Sequence, residues 1–415
     1  MAACKAQQSY GSENRRMSQH LSVPHRLAIR KQWTVQRHRD KGSRIPAPKK
    51  YITEAELATI TDLAYYHYPD CFLLPSAHFF FSLTNQLHSR PTAYIMTVPP
   101  KKIPDSVLIF GAAGHIGWPL AEYLHRKASS IKLRLATSSP HKREHLQKAF
   151  PHAAIIDANY NDVQSLKLAA RDVEAIFVIT PGGMNERFAM TNLVTALREE
   201  NRLIQIIRMV GIFPELSPQR VPKTLGPGSL PYEHPIAKQI LDESGLPVTY
   251  INCGASFIDN LWLQIAPVLA KRTLIWPEHR VPFIDPVDIA EVAGRLLLSD
   301  NGKHIGAFHT MNNGHDWLQF REVAGILSDV LGQDIAYNGS FEAFSDFYRP
   351  KMGELVDKLW AFFKFEEANE EIWALNNFVE RTIGRKPTTF KDWVVRHKDE
   401  LLRGSKSLPY AERVI

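Results

Sequence analysis

Three glycines with fixed spacing stand directly after a short apolar run at 106–110. The segment reads Gly111-Ala112-Ala113-Gly114-His115-Ile116-Gly117, and residues with helical spacing follow it. Gly111 permits a tight turn, Gly114 lets the backbone approach a phosphate, and Gly117 allows close packing of helix on strand. Free N–H groups at the start of such a helix bind phosphate. The spacing therefore predicts a dinucleotide cradle made by Gly111, Ala113, Gly114, His115, Ile116 and Gly117. The alternative is a tight structural turn without a ligand.

The end of the second predicted strand carries no carboxylate. In dinucleotide-binding βαβ units an acid at this point accepts bonds from the ribose 2′-OH of NAD and repels a 2′-phosphate. The sequence here is Thr137-Ser138-Ser139-Pro140-His141-Lys142-Arg143. Hydroxyls and cations suit a phosphate dianion. We therefore expect NADP (as NADPH) to be the cofactor, with Ser138, Ser139, Lys142 and Arg143 around its 2′-phosphate. The alternative is that the two cations are merely solvated on a helix surface.

Strand-like and helical stretches that position these loops alternate regularly along the chain. Strands are predicted at 106–110, 132–136, 153–156, 175–179, 203–210 and 247–252, and helices at 116–127, 141–149, 163–170, 186–199, 235–244 and 286–298. This alternation indicates βαβ units and a parallel sheet with helices on both faces. The predicted fold is α/β, a Rossmann-type doubly wound parallel sheet with a smaller, mostly helical C-terminal substrate lobe. The predicted domains are a basic extension (1–100), an NAD(P)-binding domain (101–255) and a C-terminal lobe (256–415), from which one late strand completes the sheet.

The formal net charge of +7 belongs entirely to the first hundred of the 415 residues. Residues 1–100 hold 13 Lys and Arg against 6 Asp and Glu, whereas 101–415 hold 37 of each sign. A neutral main body argues against nucleic-acid binding. The basic extension is predicted to be flexible, and two alternatives stay open. The first alternative is that the extension is a mitochondrial transit peptide. The second is that translation starts at Met96.

Several other classes of site are disfavoured by the residues that are missing from the sequence. The three cysteines (Cys4, Cys71 and Cys253) are too widely spaced for a disulfide framework or a cysteine zinc site. The 17 histidines show no paired metal-ligand spacing, so no metal is expected. No apolar run is long enough to cross a membrane, and we expect a cytoplasmic protein. The sequence contains neither the Gly-x-Ser-x-Gly nucleophile elbow of hydrolases nor the phosphate-binding Gly-Lys-Ser/Thr loop of NTPases, so both classes are disfavoured.

Four segments carry a resemblance to a known family. They are GAAGHIG, DANYNDVQSLKLAARDVEAIFVITP, HPIAKQILDESGLPVTYINCGASFIDN and PFIDPVDIAEVA. From about residue 106 to 396 the chain resembles the NmrA-like branch of atypical short-chain dehydrogenases, relatives of isoflavone reductases. Its segment ERTIGRKPTTFKDWVVRHK is similar to fungal members such as festuclavine/agroclavine dehydrogenases. The resemblance implies that Asn159 and Tyr160 lie near the adenine, and that Thr180, Pro181 and Gly182 follow the cofactor toward the nicotinamide. Asn159 stands where an acid is commoner.

The catalytic positions depart from the usual pattern of short-chain dehydrogenases. Those enzymes commonly use a Ser, and a Tyr four residues before a Lys. Lys238 matches the Lys, but His234 stands at the Tyr position and Val210 at the Ser position. The candidate catalytic residues are therefore His234 and Lys238. Three interpretations stay open: His234 delivers a proton, water or substrate delivers it, or His234 only caps the helix that begins at Pro235.

These observations together favour an NADPH-dependent oxidoreductase that reduces a small enone, ketone or imine, as in specialised metabolism. The rival hypothesis is a non-catalytic redox sensor of the NmrA type, which binds NAD(P) and acts through a regulatory protein partner. The expected partner of an enzyme is its small-molecule substrate, and a homo-oligomer is a further possibility. A set of C-terminal aromatic residues is interpreted as core, or alternatively as an apolar wall for a flat substrate: Phe341, Phe344, Phe347, Trp360, Phe363 and Trp373.

Overall fold

A computed structural model describes residues 98–198, 200–213, 224–225 and 228–405. The predictions that concern residues 1–97 lie outside these residues. The described residues all fall within one compact unit.

Strands and helices alternate along most of this unit, in close agreement with the predicted bounds. In chain order the elements are β1 (Ser106–Ile109), α1 (Gly117–Lys127), β2 (Lys132–Ala136), α2 (Pro140–Ala149), β3 (Ala154–Ile156), α3 (Val163–Ala170), β4 (Ala175–Val178), α4 (Glu186–Leu197), β5 (Gln205–Val210), α5 (His234–Ser244), β6 (Val248–Cys253), β7 (Ser256–Phe257), α6 (Leu261–Lys271), β8 (Thr273–Ile275), β9 (Arg280–Ile284), α7 (Pro286–Leu298), β10 (Phe308–Met311), β11 (Trp317–Gln319), α8 (Phe320–Leu331), β12 (Ala336–Asn338), α9 (Phe341–Met352), α10 (Leu355–Glu367), α11 (Phe378–Ile383), α12 (Phe390–Arg396) and α13 (Lys398–Arg403).

The main sheet has seven strands in the order β10-β6-β5-β4-β1-β2-β3. Every neighbouring pair in it runs parallel. The order reverses between β1 and β4, and ligands of open α/β sheets bind outside the carboxyl ends of the strands at such a reversal. The predicted α/β fold with a Rossmann-type parallel sheet is confirmed.

Strand β1 shows why both faces of the sheet are covered. Its side chains alternate, so that Val107 and Ile109 join one apolar cluster with α1 and α7, while Leu108 and Phe110 join another with α3, α4 and α5. All four side chains are buried. A parallel strand that is apolar on both faces requires helices on both sides, and the helices supply them.

Residues beyond the predicted boundary at 255 take part in the same layers. Strand β10 pairs with β6 at the edge of the main sheet, and α7 packs on α1. The boundary near residue 255 therefore does not separate the sheet from the remainder of the chain.

The C-terminal region is mostly helical around an aromatic core. The ring of Trp276 lies 5.1–6.0 Å from the rings of Phe320, Phe344, Tyr348 and Phe363. The sequence predicted a mostly helical C-terminal lobe without locating strands β11 and β12, which are short and pair with β9 and β8. Each has three residues, too few for an alternating pattern to be recognised.

Gly294 marks the closest approach of α7 to α1. A Cβ on this residue would lie 2.3 Å from the Tyr123 ring of α1. We expect Gly294→Ala to lower the free energy of unfolding by about 1–3 kcal/mol, because overpacking forces side chains off their rotamers. Chemical denaturation measures this change.

Gly325, on the exposed face of α8, provides the matched control. Its added Cβ would meet no atom within 4 Å. Gly325→Ala should therefore stabilise the protein by about 0.5–1 kcal/mol through helix propensity. Equal effects of the two substitutions would contradict the close α1–α7 contact.

Candidate functional site

The glycine cradle lies at the point where the strand order reverses. Gly111 follows β1 with a φ of +66°, a left-handed conformation that favours glycine. A Cβ on Gly117 would lie 2.3 Å from the Gly111 carbonyl oxygen, so the helix can leave the strand at this angle only without a side chain there. Helix α1 starts with no capping side chain and no acid in its first turn. These features fit a bound pyrophosphate, because the first N–H groups of a helix and its dipole attract an anion.

The remaining residues of the cradle contribute through the backbone. Ala113 and Ile116 are buried in the core on the α1 face of the sheet. The imidazole of His115 is turned to the C-terminal region, where its Nδ1 lies 2.6 Å from Asp259 Oδ2. Both side chains are largely buried, and Asp259 belongs to a short 3-10 helix at Ile258–Asn260. No sequence pattern pointed to this pair, which joins the cradle to a residue 144 positions later.

The loop after β2 has the composition expected for a 2′-phosphate, and some of its groups already have partners. Ser139 caps α2, its side-chain oxygen accepting from the Lys142 N–H at 3.4 Å. Arg143 donates to the Ile155 carbonyl oxygen at 2.9 Å and pairs with Asp157 at 2.5 Å. Asp157 is 74% exposed, and ion pairs this exposed contribute only about 0–1 kcal/mol. A phosphate dianion could therefore compete for Arg143. Ser138 and Lys142 lie at the surface of the same loop.

Asn159 and Tyr160 lie beside this loop, after β3. The Asn159 side-chain oxygen accepts from the Asn161 N–H at 2.9 Å, which closes a local turn. Tyr160 is buried, stacks on Phe110 at 4.9 Å and donates its hydroxyl to the Ile179 carbonyl oxygen at 3.0 Å. Burial raises the pKa of this hydroxyl, so it stays protonated. Tyr160 thus joins the ends of β1 and β4, and its contact with an adenine remains a prediction.

A fully buried ion pair lies where β4 and β5 end. Arg208, in β5, donates from Nη2 to Glu186 Oε1 at 2.7 Å. The two side chains are 0% and 2% exposed. Arg208 also donates to Thr180 Oγ1 at 3.0 Å, and the Thr180 hydroxyl donates to Glu186 Oε1. Of the predicted loop 180–182, only Thr180 enters this cluster, since Pro181 and Gly182 are exposed.

Sequence reasoning missed this ion pair. Its signal was a single charge within the otherwise apolar stretch 206–210, together with an acid at the first position of a helix. A lone arginine in a central strand is costly to bury without a partner, and that cost predicts a nearby carboxylate. Which carboxylate supplies it depends on tertiary contacts.

His234 lies against the same cluster. Its Nδ1 accepts from the Gly211 N–H at 2.8 Å and lies 3.2 Å from the Gly211 carbonyl oxygen. Its Nε2 lies 3.7 Å from Glu186 Oε1. Burial and then the charge of Arg208 lower the pKa of His234, while Glu186 and the Gly211 backbone act in the opposite direction. The imidazole is therefore neutral near neutral pH.

The interpretation of His234 as a helix cap is wrong. Helix α5 begins at His234 itself, with Glu233 as its N-cap residue and no capping side chain. The imidazole accepts instead from the end of β5. A Cβ on Gly211 would lie 3.3 Å from Nδ1, so the absence of a side chain at residue 211 permits this approach.

Lys238 has different partners, although it lies one turn further along α5. Its Nζ lies 2.5 Å from Asp242 Oδ2 and 4.8 Å from the centre of the Tyr250 ring. The structure therefore does not show the lysine and His234 acting on a common atom. A catalytic role of Lys238 remains a prediction.

Asn252 fixes the backbone that leads from β5 to His234. This fully buried side chain accepts from the Ile212 N–H at 2.7 Å and donates to the Ile212 carbonyl oxygen at 2.8 Å. The next residue, Phe213, donates its N–H to the Tyr232 hydroxyl at 2.7 Å. The end of β5 is thus held by side-chain hydrogen bonds from two other segments.

The described part of the chain contains neither a metal-binding cluster nor a membrane-spanning helix. Within 98–198, 200–213, 224–225 and 228–405, no group of three or more His, Cys, Asp or Glu side chains could hold a metal ion. Among the helices of these residues, none is long and apolar enough to cross a membrane.

Gly114 tests the cradle without breaking the fold. A Cβ there would lie 3.2 Å from the Gly111 carbonyl oxygen, a tight contact that a small shift relieves, whereas one on Gly117 would lie at 2.3 Å. We expect Gly114→Ala to lower NADPH affinity by about tenfold or more, which is about 1.4 kcal/mol. Its melting temperature should stay closer to wild type than that of Gly117→Ala. Calorimetric titration measures the affinity, and thermal melting measures the melting temperature. Undiminished NADPH binding by Gly114→Ala would contradict the assignment of residues 111–117 to the pyrophosphate.

Comparison with known proteins agrees with this geometry. A family model described as NAD(P)H-binding matches residues 111–259, which run from the cradle to Asp259. Nitrogen metabolite regulation-like protein bik4 of Gibberella fujikuroi is 26% identical over 210 residues, which span 47% of this chain and 61% of bik4.

An enzyme and a solved structure are also similar. The (4-alkanoyl-5-oxo-2,5-dihydrofuran-3-yl)methyl phosphate reductase of Streptomyces griseus is 23% identical over 306 residues, which span 71% of this chain and 98% of that protein. The crystal structure of Citrobacter triphenylmethane reductase with NADP(H) superposes with a TM-score of 0.59 at 18% identity, and covers 70% of this chain and 99% of its own. The sheet order and these matches together show that the chain shares the Rossmann-type fold of such proteins and that its residues 111–259 match an NAD(P)H-binding family model.

Proposed function

We propose that the protein is an NADPH-dependent reductase of a small, flat enone, ketone or imine, as in specialised metabolism. The observation that carries this proposal is the polar cluster at the ends of β4 and β5. There His234 stands beside the buried Arg208–Glu186 pair, next to the loop that the family resemblance assigns to the nicotinamide side. Perturbed ionisable groups concentrated at such a crevice are typical of reaction sites.

NADPH, when bound, supplies a hydride. The chain's own residues would hold it at two places. The N–H groups of residues 111–117 would bind the pyrophosphate, and the loop Ser138–Arg143 would bind the 2′-phosphate. Because α1 begins without a capping side chain, its first N–H groups are available for this role.

Aromatic side chains form a largely buried cluster near the end of β5, beside the proposed substrate position. Phe213 lies in edge contact with Trp373 at 4.7 Å and near Phe365 at 5.7 Å. Tyr232, two residues before His234, lies 5.8 Å from the same Phe213 ring. Aromatic rings of this kind favour a flat, conjugated molecule. The reductases of Streptomyces and Citrobacter that resemble this chain are named for conjugated substrates.

The second candidate is a redox sensor that binds NAD(P)H without turnover. Two observations favour it: the similarity to bik4, a regulation-like protein, and the ion pair that occupies Lys238. The buried charge cluster favours the enzyme, since a sensor that only binds the dinucleotide has no use for a polar group at the reaction end.

We expect NADPH to bind at least about tenfold more tightly than NADH, because each hydrogen bond to a charged group contributes about 1.5–3 kcal/mol. The double substitution of Lys142 and Arg143 by Ala should remove most of this difference while leaving NADH affinity nearly unchanged. Calorimetric titration with both dinucleotides is the measurement. Lys148→Ala, at the far end of α2, is the matched control and should alter neither affinity. Preference for NADH by the wild type would refute the assignment of the 2′-phosphate.

His234→Ala should lower turnover by about 10²–10⁴, the span for loss of a general acid or of a hydrogen-bond donor to developing charge. NADPH affinity should change little, because the proposed dinucleotide contacts lie elsewhere. NADPH consumption with a panel of quinones, enones, ketones and imines provides the assay. Tight NADPH binding with no consumption for any of these classes would favour the sensor. Normal turnover of the variant would leave His234 a structural residue.

A further inference from the structure

The form in which His234 meets the substrate follows from the atoms around its ring. Nδ1 lies 2.8 Å from the Gly211 N–H and 3.2 Å from the Gly211 carbonyl oxygen. The N–H contact is the shorter of the two, and an N–H can be accepted only by a ring nitrogen without hydrogen. The hydrogen of the neutral imidazole is then on Nε2. This nitrogen lies 3.7 Å from Glu186 Oε1, beyond hydrogen-bond distance, so its N–H is not consumed by the carboxylate.

The Glu186 carboxylate cannot move closer to His234, because its contacted oxygen is already held. Arg208 Nη2 and the Thr180 hydroxyl both donate to Oε1. The Glu186 N–H is in turn held by Glu233 Oε2 at 3.3 Å, one residue before His234. The ion pair, the threonine and the start of α5 thus form one hydrogen-bonded unit.

The charges of the Arg208–Glu186 pair cancel, and Glu233 adds a carboxylate at the start of α5. The two side chains of the pair are inaccessible to water, so neither is screened as a surface charge would be. Protonation of His234 would add a positive charge beside Arg208 and would replace the bond from the Gly211 N–H. A buried ion pair adds little to stability compared with apolar residues, so stability does not explain why this one stands at the reaction end.

We propose that the Gly211 N–H fixes the tautomer of His234 and that the balanced charges of the positioning residues Glu186 and Arg208 keep its ring neutral, so that an Nε2–H donor and no positive charge face the substrate. The proposal rests on the function proposed above and narrows its substrate class. A neutral donor suits the oxygen of a ketone or enone, which gains negative charge as carbon accepts a hydride. It does not suit an imine, whose nitrogen needs a full proton before reduction.

The two-electron balance is completed without a further protein group. NADPH, when bound, would supply the hydride to the substrate carbon. In a ketone the C=O pair would move to the oxygen; in an enone the C=C pair would form the enolate C=C bond as the C=O pair moves to the oxygen. The Nε2–H of His234 would hydrogen-bond to that oxygen, and one proton from water would give the alcohol, or the enol that becomes the saturated ketone, leaving hydroxide to the solvent.

The first experiment reads the tautomer in the protein without cofactor or substrate. With ¹⁵N-labelled histidine, NMR near neutral pH should show the His234 signals of a protonated Nε2 and an unprotonated Nδ1, assigned by their loss in His234→Ala. An Nδ1-protonated or doubly protonated ring would overturn the proposal. Because this readout needs no turnover, it is independent of whether a substrate is found.

The second experiment perturbs each charge separately. The groups that face His234 are Glu186 from α4, Arg208 from β5 and Glu233 beside it, while Lys238 on its own helix is paired with Asp242. Glu186→Gln should lower the pKa of His234 below that of wild type, because it removes a negative charge. Arg208→Met should raise it, because it removes a positive one. Glu243→Gln, on the outer face of α5, is the matched control and should leave it unchanged.

The double variant Glu186→Gln/Arg208→Met covers the case in which a single variant fails to fold, since it leaves no unpaired buried charge. Its His234 pKa should return toward that of wild type. Two outcomes would show that the pair has only a structural role and that the proposal is wrong. In the first, both single variants fold and the pKa of His234 changes in neither. In the second, the pKa of His234 in the double variant differs from the wild-type value by as much as it does in a single variant.

The pH dependence of kcat with an enone or ketone distinguishes a neutral His234 from an imidazolium that acts as an acid. A neutral donor predicts that kcat stays level as pH rises above the pKa of His234. An imidazolium acid predicts a tenfold fall in kcat for each further pH unit, and this result would overturn the proposal. NMR results as expected, with no reduction of any carbonyl compound, would refute the proposed function and leave the tautomer assignment standing.

Discussion

The angle at which α1 leaves β1 is fixed by a contact between two stretches of backbone. Gly117 lies so close to the Gly111 carbonyl that no Cβ fits between them. Because of this contact, the first N–H groups of the helix face the crevice where the order of the parallel strands reverses. Every other part of the site is arranged around that crevice. The loop after β2 borders it on one side, and the ends of β4 and β5 border it on the other.

The two sides of the crevice use different physical means. On the side of the glycine cradle, the groups available are backbone N–H groups and surface cations. At the ends of β4 and β5, the charges of Arg208 and Glu186 are withdrawn from water and the neighbouring His234 is neutral. A low-dielectric surrounding strengthens each hydrogen bond that forms there and makes each unpaired group costly. Such a surrounding suits small displacements of charge during a reaction better than the binding of whole ions.

Much of the fold could be predicted from the sequence because its signals are local. The apolar runs of β1, β4 and β5 and the helical spacing between them lie within short windows, and the glycine spacing in 111–117 is itself a local pattern. The partner of Arg208, the hydrogen bonds of His234 and the pairing of His115 with Asp259 could not be predicted in this way. Each depends on side chains that meet only after the helices have packed. His234 was identified by its position four residues before Lys238. Its hydrogen-bond partner is Gly211, which directly follows β5 and does not belong to its own helix.

The late position of α7 and β10 in the sequence has a consequence for how the chain acquires this fold. Helix α7 covers the face of the sheet on which α1 lies, and β10 completes the edge beside β6, yet both follow β1 by more than 170 residues. During synthesis from the N-terminus, the nascent chain presents the apolar side chains of α1 and of the first strands before their covering helix exists. Contacts of such long sequence separation slow folding, and uncovered apolar surface is prone to aggregation. The seven-stranded sheet of this protein therefore cannot be completed until residue 311 has left the ribosome.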